Sequence, residues 1–161
     1  MQNHNPYNFD YVGEVKVTDF SVSSQVEQYL SLMRKSDDAL KELITYFKKS
    51  DEPAIILVFG DHQPHLPDSF YEKLFGKNPV QFSREDSMKE HLIPFMIWAN
   101  YDIGEENIER TSINYLSSLL LEKAGLKMSD YNRYLLELYK EIPSLSATGF
   151  YDKTGVLHDN K

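Results

Sequence analysis

The amino-acid sequence predicts an α/β domain in which a mixed sheet is flanked by helices. The first indication is an unbroken run of apolar residues, several of them β-branched, at positions 54–59. A run of this length is typical of a strand covered on both faces, as in a parallel or mixed sheet. The second indication is a helical pattern before this run, with a short loop between the two. Helix, loop and buried strand in succession indicate the α/β class.

The composition is that of a globular protein, and the length predicts one domain over residues 1–161 with a real core. Lys and Arg together number 17 against 25 for Asp and Glu, a formal charge of −8. Without a basic stripe, binding to the phosphates of nucleic acid is disfavoured. There is no cysteine, which excludes disulfides and thiolate chemistry. No apolar stretch reaches the length of a membrane span.

The first predicted helix covers about residues 24–49, where apolar residues recur at intervals of three and four. Ser23 or Ser24 can cap its start. Lys48 and Lys49 suit the negative C-terminal end of the helix. Residues 50–53 then form the loop that leads into the central strand.

The central strand ends at a turn that carries chemically useful groups. Gly60 lets the chain turn sharply, so that Asp61 and His62 follow at the strand's carboxyl end, where ligands of open α/β sheets bind. Carboxylate oxygen and imidazole nitrogen are ligands that suit Zn²⁺ or Mn²⁺. The alternative is an ordinary turn with a hydrogen-bonded Asp-His pair, because Gly-Asp is common in loops. The residues alone leave both interpretations open.

The loop after this pair contains two prolines, Pro64 and Pro67, which restrict its backbone. His65 lies between them and has three interpretations: a third metal ligand, a phosphate contact or an exposed loop histidine. The sequence slightly favours the exposed loop histidine. Asp68 is predicted as the N-cap of a short helix over residues 69–75.

The next stretch, residues 76–90, is predicted as a polar loop whose mixed charges at 83–86 face solvent. A second strand is predicted over residues 92–99, where Pro94 is tolerable near the strand's start.

Two helices and a hairpin complete the predicted order. The first helix begins at about residue 111 and ends at Gly125, in the manner of a glycine C-terminal stop. Ser129-Asp130 is predicted to cap the second helix, which Pro143 ends. Residues 148–157 predict a β-hairpin.

Three short segments in this order resemble motifs of the sulfatase-like branch of the alkaline phosphatase superfamily. Residues 58–64 resemble its G-D-H motif, residues 1–7 its N-H-x-P-[YF] segment, and residues 93–100 its later P-x-x-[IV]-[WY] strand. The nearest likeness is to phosphoglycerol transferases of the lipoteichoic-acid-synthase type. The motifs span most of the chain and are specific to the family rather than to one substrate.

The resemblance implies a partial alkaline-phosphatase/sulfatase-like sandwich that ends in the hairpin. It also implies that Asp61 and His62 are metal ligands, with Mn²⁺ as the expected cofactor. His4 matches a family histidine that contacts the substrate's phosphate, and His65 is a second expected substrate contact. The implied reaction is transfer or hydrolysis at phosphorus or sulfur, by attack of a threonine or serine assisted by the metal.

In the family, the nucleophile and another acidic ligand lie upstream of the N-H-x-P segment. We therefore expect no catalytic nucleophile in this chain, which would be the inactive C-terminal part of a larger extracytoplasmic domain. The whole protein is expected at the outer face of a bacterial membrane, held there by a segment outside the chain. Its expected substrates are phosphate or sulfate esters of cell-envelope lipids or polymers. Two alternatives are a non-catalytic interaction module that has kept the fold, and an α/β domain whose G-D-H loop is coincidental.

Overall fold

The computed structural model describes residues 6–7, 13–147 and 149–160. Its contacts divide the chain into two compact units. One comprises Met1–Glu52 with Val58–Met96, and the other comprises Pro53–Leu57 with Ile97–Lys161. In the described part of the chain, no helix combines the length and the apolar character that crossing a membrane requires.

Helix α1 spans Ser24–Phe47 and begins after Ser23, whose backbone is extended as an N-cap requires. The predicted helix is therefore confirmed. Its first half packs on a core of buried apolar residues, and partly buried residues surround that core. The three buried members are Tyr7, Val26 and Leu66. The surrounding residues are Val22, Tyr29, Leu30, Leu32, Phe70 and Tyr71.

Helix α2 spans Asp68–Phe75 and starts one residue earlier than predicted. The N-cap is Pro67, so the prediction of Asp68 as the cap is wrong. Pro67 has an extended backbone, with φ −58° and ψ 141°, and its carbonyl accepts a hydrogen bond from the Phe70 N–H at 2.8 Å. Asp68 instead lies in the first turn, where a carboxylate suits the positive end of the helix dipole.

The prediction of a loop over residues 76–90 is wrong for more than half of that stretch. A 3₁₀ turn spans Pro79–Gln81, and helix α3 spans Arg84–Lys89. The Ser83 side chain accepts from the Asp86 N–H, and the Asp86 carboxylate accepts from the Ser83 N–H, which makes a capping box. Two free N–H groups are satisfied at once, so a short charged segment becomes helical.

Strands β1, Ile55–Phe59, and β2, Phe95–Ala99, form a two-stranded sheet and confirm the two predicted strands. The Gly60 N–H donates to the Pro94 carbonyl at 3.2 Å, and the Asn100 N–H donates to the Ala54 carbonyl at 3.1 Å. These bonds join opposite ends of the two strands, so the pair is antiparallel. Strand β1 is half-buried rather than covered on both faces, since its first four residues are partly buried and Phe59 is exposed. Its neighbour β2 pairs with one edge of β1 and covers neither face.

The second unit contains the two predicted helices, α4 over Ile113–Lys123 and α5 over Asp130–Glu141, and they pack against each other. Their buried apolar residues are Tyr115, Leu116, Leu119, Leu135 and Leu136. The predicted hairpin is confirmed as β4, Phe150–Tyr151, and β5, Leu157–His158. A third antiparallel strand, β3 at Ser144–Leu145, pairs with β4 and was not predicted.

Candidate functional site

The candidate site begins where β1 ends, at a glycine packed tightly against the neighbouring chain segment. A Cβ added at Gly60 would lie 3.3 Å from the Cβ of Ile93. The Gly60 N–H also donates a hydrogen bond to the carbonyl of Pro94, just beyond the end of β1. A glycine therefore allows the chain to stay close to its neighbour while it leaves the strand.

Asp61 and His62 follow at this turn, and their side chains converge. Asp61 Oδ2 lies 3.6 Å from His62 Nε2. Two donors bonded to one divalent ion at roughly 2.1 Å each lie roughly 3.0–3.4 Å apart. A small side-chain rotation would thus let both atoms bind the same ion. Both side chains are exposed, and the other carboxylate oxygen of Asp61 accepts a hydrogen bond from the His62 N–H at 3.0 Å.

The orientation of the imidazole also suits metal binding. His62 Nδ1 lies 2.8 Å from the carbonyl oxygen of Gln63. A carbonyl can only accept, so Nδ1 carries the hydrogen in this bond and the neutral ring has its lone pair on Nε2. Metal-binding histidines commonly have this arrangement, in which a carbonyl fixes one ring nitrogen and the other faces the ion. Asp61 and His62 therefore fit a divalent metal.

Of the other two predicted site residues, His65 lies within the part of the chain that the structure describes. His65 is exposed, between Pro64 and the buried Leu66. No group of three or more His, Cys, Asp or Glu side chains in the described ranges could enclose a metal ion. His65 is thus not placed as a third ligand, and its role as a substrate contact stays a prediction. His4 lies outside the described residues.

Residues that the sequence did not indicate hold the loop in place. The Gln63 side-chain amide donates to the carbonyl of Leu92, and the Tyr71 hydroxyl donates to the carbonyl of Pro64 at 2.6 Å. Leu66 is 4% exposed in the core of the first unit. Burial raises the pKa of the Tyr71 hydroxyl, so this group remains a protonated donor at neutral pH. The loop that carries Asp61 is therefore anchored at three points.

A second acid-histidine pair lies in the C-terminal hairpin. Asp152 Oδ2 is 2.6 Å from His158 Nε2, and Asp152 Oδ1 accepts from the N–H groups of Thr154 and Val156. The Thr154 hydroxyl and His158 hold the pKa of the Asp152 carboxyl well below its usual range. Because these contacts link residues of one tight turn, they close the hairpin and indicate no separate site.

The chain is similar to known proteins over most of its length. The sulfatase family profile matches residues 1–126. A Rhizobium meliloti (strain 1021) protein named for cyclic beta-1,2-glucan modification is 29% identical over 151 residues, which are 86% of this chain and 23% of the relative. The capsular polysaccharide biosynthesis protein RkpI of the same organism is 36% identical over 66 residues, 41% of this chain and 11% of the relative.

One solved structure is similar to most of the chain. It is the Streptococcus pyogenes phosphoglycerol transferase GacH in complex with sn-glycerol-1-phosphate, with a TM-score of 0.68 and 23% identity. The match covers 89% of this chain and 36% of the transferase. These findings confirm the predicted α/β class and the predicted resemblance. The chain spans about a quarter or less of the length of the Rhizobium proteins, and about a third of the transferase.

Proposed function

Because this chain belongs to the sulfatase family, we propose that it contributes Asp61 and His62 as metal ligands to a site that transfers or hydrolyses phosphate esters. The observation that carries this proposal is the convergence of Asp61 Oδ2 and His62 Nε2 to 3.6 Å. The bond from His62 Nδ1 to the Gln63 carbonyl supports it, because this bond places the ring's lone pair on Nε2.

The proposed metal is Mn²⁺, the ion that the resemblance of the G-D-H segment implies; one carboxylate and one imidazole suit Mn²⁺ and Zn²⁺ alike. When bound, the metal ion would neutralise negative charge on the phosphate and lower the pKa of an attacking hydroxyl. Asp61 contributes the negative charge at the site, and His62 contributes a neutral nitrogen ligand. His4 and His65 are proposed to contact the phosphate group of the substrate.

Two protein donors do not complete the four to six positions that such ions fill. We propose that the other ligands, and a threonine or serine nucleophile, belong to a part of the protein outside this chain. The small share of each relative that the chain spans supports this division. On this account the chain alone has no turnover.

The proposed substrate is a lipid or polymer that carries phosphoglycerol, at the outer face of a bacterial membrane. The similar transferase was solved with sn-glycerol-1-phosphate, and the two Rhizobium relatives are named for glucan modification and capsular polysaccharide biosynthesis. These names support a glycerol phosphate donor and a polysaccharide acceptor over a sulfate ester.

The test is diacylglycerol release from vesicles that contain phosphatidylglycerol, by the complete gene product with Mn²⁺. We expect release that Asp61→Ala and His62→Ala each reduce at least 100-fold. Asp51→Ala and His91→Ala, which change exposed residues of the same types, are the controls and should leave the rate unchanged. Equal rates in all five proteins would overturn the metal role. Cleavage of an aryl sulfate with no diacylglycerol release would overturn the phosphoglycerol substrate.

A further inference from the structure

The loop after β1 is attached to the sheet by a side chain that the proposed chemistry does not use. The Gln63 amide donates to the carbonyl of Leu92, two residues before Pro94, which accepts from the Gly60 N–H. The side-chain bond thus continues the attachment of the loop to the segment before β2, beyond the last backbone bond. We propose that Gln63 is a positioning residue that fixes the orientation of His62 for metal binding; this inference rests on the proposed function.

Gln63 contacts His62 through its backbone and Leu92 through its side chain. Its backbone carbonyl accepts the hydrogen of His62 Nδ1 at 2.8 Å, and its side chain holds Leu92. Rotation of the peptide after Gln63 would move the acceptor away from the imidazole. Anchoring the side chain restricts that rotation, so the amide acts on His62 through the Gln63 carbonyl.

The bond is better suited to orientation than to stability. Gln63 is exposed, and an exposed glutamine loses rotamer entropy comparable to the net gain from one hydrogen bond. We therefore expect its removal to change the geometry of the loop with little change in the global stability of the fold. This expectation separates a positioning residue from one that only stabilises the structure.

Tyr71 supplies the second anchor, on the other side of His65. Its hydroxyl donates to the Pro64 carbonyl at 2.6 Å from helix α2. The residue after His65, Leu66, is buried in the core beside Tyr71. The loop is thus held between the strand pair and the helix, and Gln63 is the anchor adjacent to the proposed ligands.

The decisive variant is Gln63→Met, which keeps the length of the side chain and removes its donor. Two readouts are measured: Mn²⁺ affinity of the complete gene product, and the imidazole tautomer of His62 from ¹⁵N spectra of this chain at alkaline pH without metal. We expect about 10-fold weaker Mn²⁺ binding, as for other residues that orient metal-binding histidines, and a mixture of tautomers in place of one. The thermal midpoint should be unchanged.

Gln81→Met is the matched control, because Gln81 is an exposed glutamine at the end of the 3₁₀ turn. It should leave both readouts unchanged. Tyr71→Phe removes the second anchor while it keeps the ring, and should accelerate amide hydrogen exchange at residues 62, 63, 65 and 66. If Gln63→Met does not fold, Gln63→Ala, which also removes the donor to Leu92, is measured with the same two readouts.

The outcomes separate this inference from the proposed function. If Asp61→Ala does not weaken Mn²⁺ binding, the proposed function fails. If Asp61→Ala abolishes binding while Gln63→Met leaves affinity and tautomer as in the wild type, only the positioning role fails. Equal losses in Gln63→Met and Gln81→Met would also overturn that role.

Discussion

Asp61 Oδ2 and His62 Nε2 lie 3.6 Å apart although the two residues are neighbours in the chain. Successive side chains of a β-strand point to opposite faces, so adjacent residues within a strand would hold these groups apart. Strand β1 ends at Phe59, and the chain bends at Asp61 and His62, so neither residue has the strand conformation. The end of the strand is therefore what makes the pair a possible metal site.

Gly60→Ala should destabilise the protein by about 1–2 kcal/mol, because the added Cβ lies 3.3 Å from the Cβ of Ile93, which must move by a few tenths of an ångström. Urea unfolding measures the change. Ser69→Ala, at an exposed position on α2, is the control and should stay within about 0.5 kcal/mol of the wild type. A Gly60→Ala protein as stable as the control would show that this contact relaxes without cost.

Acid should weaken the fold partly through Asp86. The hydrogen bond from Lys77, at 2.5 Å, and those from Ser83 hold the pKa of the Asp86 carboxyl well below its usual range. A carboxyl whose pKa is depressed in the folded state stabilises that state above its ordinary pKa of about 4. This contribution is lost as the pH falls below that value toward the folded pKa.

The measurement is the free energy of unfolding in urea between about pH 6 and pH 2. We expect the wild type to lose stability through the acid range, and Asp86→Asn to start less stable and lose less. Asp130→Asn, at a fully exposed carboxylate, should follow the wild-type slope. Parallel curves for the wild type and Asp86→Asn would contradict the assignment.

Tyr115→Phe should leave the stability unchanged or raise it by about 1 kcal/mol. The Tyr115 side chain is 0% exposed, and its hydroxyl has no hydrogen-bond partner within the described residues. A buried donor without a partner costs free energy that phenylalanine does not, and the ring contact with Tyr139 is retained. Thermal unfolding measures the effect.

The control for this change is Tyr131→Phe, at a residue that is 67% exposed, where we expect no effect. A loss of more than about 1 kcal/mol in Tyr115→Phe would mean that the hydroxyl has a partner, such as an enclosed water molecule.

The longer elements could be predicted because each repeats its pattern over many residues. Helix α1 has 24 residues with apolar side chains at intervals of three and four in both its halves, and β1 is a continuous apolar run, so both are apparent from the sequence alone. Helix α3 has only six residues and no apolar stripe, and its single indication was the spacing of Ser83 and Asp86. Strand β3 has two residues, too few for any pattern.

The proposed ligands were predictable and their supports were not. Asp61 and His62 follow a strand directly, which sequence position reveals. Gln63 and Tyr71 donate to the backbone carbonyls of Leu92 and Pro64. Every residue has a backbone carbonyl, so the sequence does not indicate which one a side chain will bind. Such contacts depend on which segments the fold brings together.

The most direct measurement is calorimetric titration of Mn²⁺ into this chain and into its Asp61→Ala variant, with Asp51→Ala as the control. Two ligands from adjacent residues predict weak binding that Asp61→Ala abolishes and Asp51→Ala retains. Binding of equal strength in all three proteins would contradict the central claim, and would leave Asp61 and His62 as an ordinary turn at the end of β1.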